Sequence, residues 1–157
     1  MHGQNKQGEL GDNSKTDKDN PIQIKFANKI VKIAVGYEHT LALDETGKVW
    51  AWGKNNAGQL GLGLSAGTTS KVVPTLVPEL TNIKHIACGR ESSFAISDVG
   101  EVFGWGANTY GQLGTGTYSN SVMTPTKMSS VSGIIDISSG DEHTLLLRKD
   151  GKVFVVG

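Results

Sequence analysis

The sequence predicts an all-β protein, a segment of a β-propeller built from four-stranded antiparallel blades, and three observations carry that prediction. The string Gly-x-Asn-x-x-Gly-x-Leu-Gly occurs three times in phase, at residues 3–11, 53–61 and 106–114. With Gly157 at the next expected start, the spacings are 50, 53 and 51 residues, a period typical of propeller blades. Between the strings lie short β-branched and aromatic runs punctuated by glycine. No stretch carries a helical period.

The elements follow in the same order in every unit. Residues 30–35 form strand A and run into Gly36, 40–43 form strand B, and a turn at 44–47 leads into strand C at 48–52. The second unit repeats this at 83–88, 93–96 and 101–105, the third at 134–139, 144–147 and 152–156. A strand D then follows a long glycine-rich connection and starts on a proline, at 21–24 (Pro21), 74–77 (Pro74) and 125–128 (Pro125). Proline lacks the N–H that an interior ladder needs, so D is the outermost strand. The third unit has no D strand of its own, and 21–24 is left over at the front. Residues 1–157 thus read as a single propeller segment with repeats at about 3–52, 53–105 and 106–157.

A core of this size has to come from stacking sheets on one another. Trp52, Trp105 and Val156 are in phase on strand C, as are Trp50, Phe103 and Phe154 two residues earlier. Large apolar side chains at one position of successive sheets fill the space between blades. Cys88 is the single cysteine, which excludes an internal disulfide, and reads as a small buried residue of strand A.

Fifteen basic and fifteen acidic side chains leave no net charge and no basic arm, so nucleic acid is not an expected partner. No apolar run is long enough to span a bilayer and no charged-then-apolar leader is seen, so no membrane association and a cytoplasmic or nuclear location are expected. The glycine-rich strings at 58–63 and 111–116 lack a following Lys-Ser/Thr and open no helix. They read as positive-φ turns and not as phosphate cradles. His2, His39, His85 and His143 have no partners at metal-ligand spacing; no metal, cofactor or catalytic residue is expected.

One constellation recurs just after strand A: Gly36-Tyr37-Glu38-His39, Gly89-Arg90-Glu91-Ser92 and Gly140-Asp141-Glu142-His143. A histidine repeated at a strand start suits a structural role, with a ring nitrogen bonded to a neighbouring backbone carbonyl. Because the turns recur with the sheets, they should line one end of the stack and present Glu38, Glu91, Asp141 and Glu142 together. That end is expected to be acidic and suited to a basic protein surface. The candidate partner-binding residues are Tyr37, Glu38, His39, Arg90, Glu91, Asp141, Glu142 and His143.

Val49-Trp-Ala-Trp-Gly53 with Asn55 and Gly58-Gln-Leu-Gly61, then Pro74, Ile86-Ala-Cys-Gly89 and the Gly-x-x-His-Thr turn, resembles the regulator of chromosome condensation repeat family across essentially the whole chain. The resemblance implies a propeller of four-stranded blades, seven in the best known members. The founding member of that family is the guanine nucleotide exchange factor for the small GTPase Ran, and there the equivalent turns face the GTPase. Carried over, this implicates Glu38, His39, Glu91, Asp141, Glu142 and His143. The implied mechanism makes no bonds: docking distorts the loops that hold phosphates and Mg²⁺, and nucleotide leaves faster. The chain departs from the pattern in having three repeats and no insertion that could act as a wedge. A protein-interaction module is therefore the expected function, with regulation of a Ran-like GTPase, by a host protein or a microbial effector mimic, as the alternative.

Three blades are too few to close a ring of the usual four to eight. An open chain leaves the edge of strand C at 152–156 unpaired. A homodimer closing a six-bladed ring is expected, the spare D strand of one copy covering that edge in the other, unless the residues are part of a longer propeller.

Overall fold

The structure, a computed structural model, describes residues 4–116 and 119–157. His2 and Gly3, where the first string begins, lie outside the described residues, as do two positions of the third long loop. The strands are β1 Ile30–Val35, β2 His39–Asp44, β3 Val49–Gly53, β4 Lys71–Leu76, β5 Ile83–Cys88 and β6 Ser92–Ser97. They continue with β7 Val102–Ala107, β8 Ser121–Lys127, β9 Ile134–Ser139, β10 Thr144–Arg148 and β11 Val153–Val156. The protein is all-β apart from one short 3-10 turn at Leu64–Ala66 among the described residues.

Every pairing is antiparallel and follows chain order, giving sheets β1-β2-β3-β4, β5-β6-β7-β8 and the three-stranded β9-β10-β11. These sheets are blades 1, 2 and 3. In blade 1 the B-to-C turn is closed by Asp44, whose Oδ1 accepts from the Thr46 N–H at 2.9 Å and the Lys48 N–H at 3.1 Å. Its other oxygen accepts from the Trp50 indole N–H at 3.0 Å. A carboxylate that takes several local donors is the ordinary device for a tight turn between strands.

The glycine-rich strings are what fasten one blade to the next. The side-chain oxygen of Asn55 accepts the Leu60 N–H at 3.1 Å and shapes the loop, as Asn5 does for Leu10 at 3.0 Å and Asn108 for Leu113 at 3.2 Å. The loop presents the Gln59 carbonyl to blade 2, where it accepts from the Trp105 indole at 2.9 Å and the Ser93 hydroxyl at 2.7 Å. Glu9 stands the same way to blade 1, accepting from Trp52 at 2.7 Å and Thr40 at 3.3 Å. On blade 3, the Gln112 carbonyl accepts from the Thr144 hydroxyl at 3.0 Å, and the Val156 side chain has no N–H to add. Trp105 does fill the space between blades, fully buried in a cluster with Leu41, Leu43, Val49 and Ala51 of blade 1 and with Phe103 packed against it, whereas Trp50 and Trp52 meet Phe26.

Gly61 is where loop and indole meet most closely. Its φ is +68°, and a Cβ there would stand 2.8 Å from the Trp105 Nε1. Gly61→Ala is expected to cost about 1–3 kcal/mol through backbone strain and that clash. Urea denaturation measures it, and an unchanged midpoint would show that the loop does not seat on the ring.

The D strands differ from the expected ones. Those of blades 1 and 2 begin three to four residues before the proline, and Pro74 and Pro125 lie inside β4 and β8. Both fall where the ladder slips register, between the Ala51–Thr75 and Gly53–Lys71 pairs and between the Gly104–Thr126 and Gly106–Val122 pairs. A bulge in an outer strand is the place a residue without an N–H fits. Residues 21–24 form no strand. A strand needs a partner, and this stretch leads instead to Phe26, whose ring lies 6.2 Å from that of Trp50 and 5.9 Å from that of Trp52.

Candidate protein-interaction site

The A-to-B turns and the C-to-D loops leave the sheets at the same end, because strands A and C run in the same direction there. In blades 1 and 2 hairpin pairing sets the turn against the start of its own loop: Lys54 N–H donates to the Glu38 carbonyl at 2.7 Å, and Ala107 N–H to the Glu91 carbonyl at 2.9 Å. The turns of the three blades come together as one exposed row. The Tyr37 N–H donates to the Arg90 carbonyl at 3.0 Å, and the Arg90 guanidinium lies over the Tyr37 ring, 4.9 Å from its centroid. Arg90 Nη1 in turn stands 3.8 Å from Asp141 Oδ2. The residue that varies after each glycine therefore touches its counterpart on the next blade.

The acidic residues are gathered at this end but are not all free. Lys54 Nζ donates to Glu38 Oε2 at 2.6 Å and stands 3.6 Å from Glu91 Oε1, so one ammonium lies between turns of two blades. Asn56 adds a longer contact of 3.4 Å to the same Glu91 oxygen. The Glu38 hydrogen bond holds the Lys54 ammonium above the usual lysine range against partial desolvation, with Glu91 contributing further. Four carboxylates, Glu38, Glu91, Asp141 and Glu142, face two cations, Lys54 and Arg90, and an acidic excess remains. Lys54 was not among the expected residues. The pairing of β2 with β3, which sets Glu38 beside it, was the signal that could have found it.

His39 does not lie on this surface. Its side chain is 1% exposed, inside the boundary between blades 1 and 2, and cannot touch a partner. Its Nε2 meets the Ser93 hydroxyl at 3.0 Å, not a backbone carbonyl. Since Ser93 gives its proton to the Gln59 carbonyl, its oxygen accepts from His39, and the neutral ring carries its proton on Nε2. Nδ1 is left without a hydrogen-bond partner, as is the hydroxyl of Ser92, the residue at the same place in blade 2. Burial lowers the His39 pKa to about 4 against a smaller raising effect of the Ser92 backbone. His143, at the same place on blade 3, is exposed. Cys88 packs against the first core cluster, and burial pushes its thiol well above the ordinary range.

The described residues contain no helix long and apolar enough to cross a membrane and no group of three or more potential metal ligands. A family model described as the RCC1-like domain matches residues 1–157. The chain is 40% identical over 136 residues to the human probable E3 ubiquitin-protein ligase HERC6, covering 82% of this chain and 13% of that protein. It is 38% identical over 119 residues to the mouse regulator of chromosome condensation, covering 73% of this chain and 28% of that protein. The crystal structure of Prp20p from Saccharomyces cerevisiae superposes on 92% of this chain and 38% of that one with a TM-score of 0.83 at 20% identity, a likeness of fold. The chain thus spans under a third of the length of these two curated relatives. With a family model over its whole length and the interblade fastening built from the repeated string, the chain belongs to the RCC1-like domain family.

Proposed function

We propose that this chain is a protein-interaction module whose A-to-B turn end docks a basic protein surface, making no bond chemistry of its own. The observation that carries the reading is the continuous row Tyr37, Arg90 and Asp141 across three blades, flanked by the partly paired Glu38 and Glu91 and by exposed Glu142 and His143. An aromatic ring and a guanidinium offer contact area at modest ordering cost, and the acidic excess selects against acidic partners. Prp20p has binding properties toward Gsp1p and histones, which supports protein partners, and histones are basic. A cytoplasmic or nuclear location fits such partners. The propeller ring is completed by a second copy or by further blades of a longer chain.

The test is capture of core histones by immobilised chain, compared with a Glu38→Ala, Glu91→Ala, Glu142→Ala variant. Binding should fall at least tenfold in the variant and weaken with salt. Unchanged capture would move the site to the long loops at 54–72 and 107–123, the second of which is described only in part.

Regulation of a Ran-like GTPase is the second reading, favoured by the 38% identity to the regulator of chromosome condensation. Release of labelled GDP from such a GTPase separates the two. No acceleration at micromolar chain removes this second reading and leaves the first.

A further inference from the structure

Lys54 is a cation inside the acidic turn end, and the repeat does not call for it. It fills the variable place of the Gly-x-Asn string, where the other two copies carry Gln4 and Ala107. The backbone does the same work there with or without the charge. Lys54 N–H donates to the Glu38 carbonyl at 2.7 Å in blade 1, and Ala107 N–H to the Glu91 carbonyl at 2.9 Å in blade 2. A methyl group therefore suffices for the blade, and Ala107 brings no charge between Glu91 and Glu142. The Lys54 ammonium is an addition, and it lies on the surface proposed for a partner.

Its two contacts are unequal. Lys54 Nζ donates to Glu38 Oε2 at 2.6 Å but stands 3.6 Å from Glu91 Oε1, beyond hydrogen-bond length. Glu91 otherwise has the long contact of 3.4 Å from the Asn56 amide. An ammonium is a compact point charge, and at this place it bonds one carboxylate and leaves the other half satisfied. A guanidinium presents its N–H donors in a flat fork, which suits two carboxylates facing each other across a blade boundary. The side chains of Glu38, Lys54 and Glu91 are 25%, 26% and 32% exposed, so a competitor from solvent can reach all three.

We propose that Lys54 stands in for an arginine of the partner: it masks Glu38 and Glu91 in the free chain, and the partner's guanidinium displaces it and bridges the two carboxylates. A partly exposed ion pair is weak, so the mask yields to a group that brings several charge-assisted hydrogen bonds. A lysine on the partner gains nothing over the lysine already there. The mask thus selects arginine-bearing surfaces among basic ones. Both blades that form this place are present in the structure, so it does not depend on what completes the ring. The inference rests on the docking of a basic surface at the turn end and names the side chain that is recognised there.

Calorimetric titration of the full chain with an arginine-rich and a lysine-rich peptide of equal length and charge tests it. The arginine peptide should bind about fivefold tighter or more. Lys54→Met, which keeps the stem and removes the charge, should raise affinity for the arginine peptide about fivefold. Lys54→Arg keeps the charge but supplies the fork, and should lower that affinity by a similar factor; a charge effect alone would leave it equal to the wild type. No gain in Lys54→Met, or Lys54→Arg equal to the wild type, overturns the mask. So does a Lys54→Met chain that fails to fold, since the ammonium would then be part of the fold. If Lys54→Met binds like the wild type while the Glu38→Ala, Glu91→Ala, Glu142→Ala variant loses the peptide, the mask fails and the interaction reading stands. If that triple variant binds as tightly as the wild type, the turn end is not the docking surface and both fail.

Discussion

Trp105→Ala is expected to destabilise the chain by about 3–5 kcal/mol, the range for truncating a fully buried aromatic. The indole has no exposed surface and packs on Leu41, Leu43, Val49 and Ala51 of the preceding blade, so its loss opens a cavity at the blade boundary and not within one sheet. It also takes one of two donors from the buried Gln59 carbonyl, which keeps only the Ser93 hydroxyl at 2.7 Å. Against a total stability of about 5–15 kcal/mol for an ordinary domain, this is a large share. Trp105→Phe separates the two effects: it keeps most of the ring and should cost about 1–2 kcal/mol through the lost N–H. Urea denaturation followed by circular dichroism reads both. A loss below 1 kcal/mol in the alanine variant would mean that blade stacking is not what holds the chain together.

Acidification is expected to weaken the fold through His39. The unfolded histidine binds a proton near pH 6.5, while the folded one resists it until about 4. Between those values the unfolded state binds more protons, so stability is fully present above 6.5 and falls as the pH drops. The loss is about 2 kcal/mol from pH 7 to pH 5 and about 3 by pH 4. His39→Gln keeps an amide donor for Ser93 and has no proton to gain. Its unfolding midpoint in urea should therefore change much less over the same pH range. Equal slopes in both proteins would show that His39 does not titrate between these limits.

Strands A, B and C were legible to within a residue or two at each end, because the unit is repeated and the same residue types recur at the same places. Strand D was read less well. Pro74 and Pro125 were placed at strand starts, yet each lies in a bulge, which depends on how the partner strand is spaced. Residues 21–24 carry the same sequence signal as β4 and β8 but form no strand, since that signal describes an edge and cannot supply the ladder it joins.

The candidate site divides in the same way. The spacing of the Gly-x-Glu turns placed Tyr37, Arg90 and Asp141 at one end. The sequence alone could not show that they touch in series, since each contact crosses from one blade to the next. His39 and His143 share the same local sequence, and one is buried while the other is exposed. Lys54, between Glu38 and Glu91, is likewise a product of two turns brought together by stacking.

By itself, the sequence determined the blade: its strand order, its tight turns and the positive-φ glycines of its long loops, because those depend on residues within one period. The tertiary structure alone decided what stacking decides, namely that His39 is sealed at a blade boundary, that Trp105 meets the loop of the preceding blade and which carboxylates are paired. Burial and charge pairing are properties of neighbours, and in a repeat protein the neighbour that matters lies about fifty residues away.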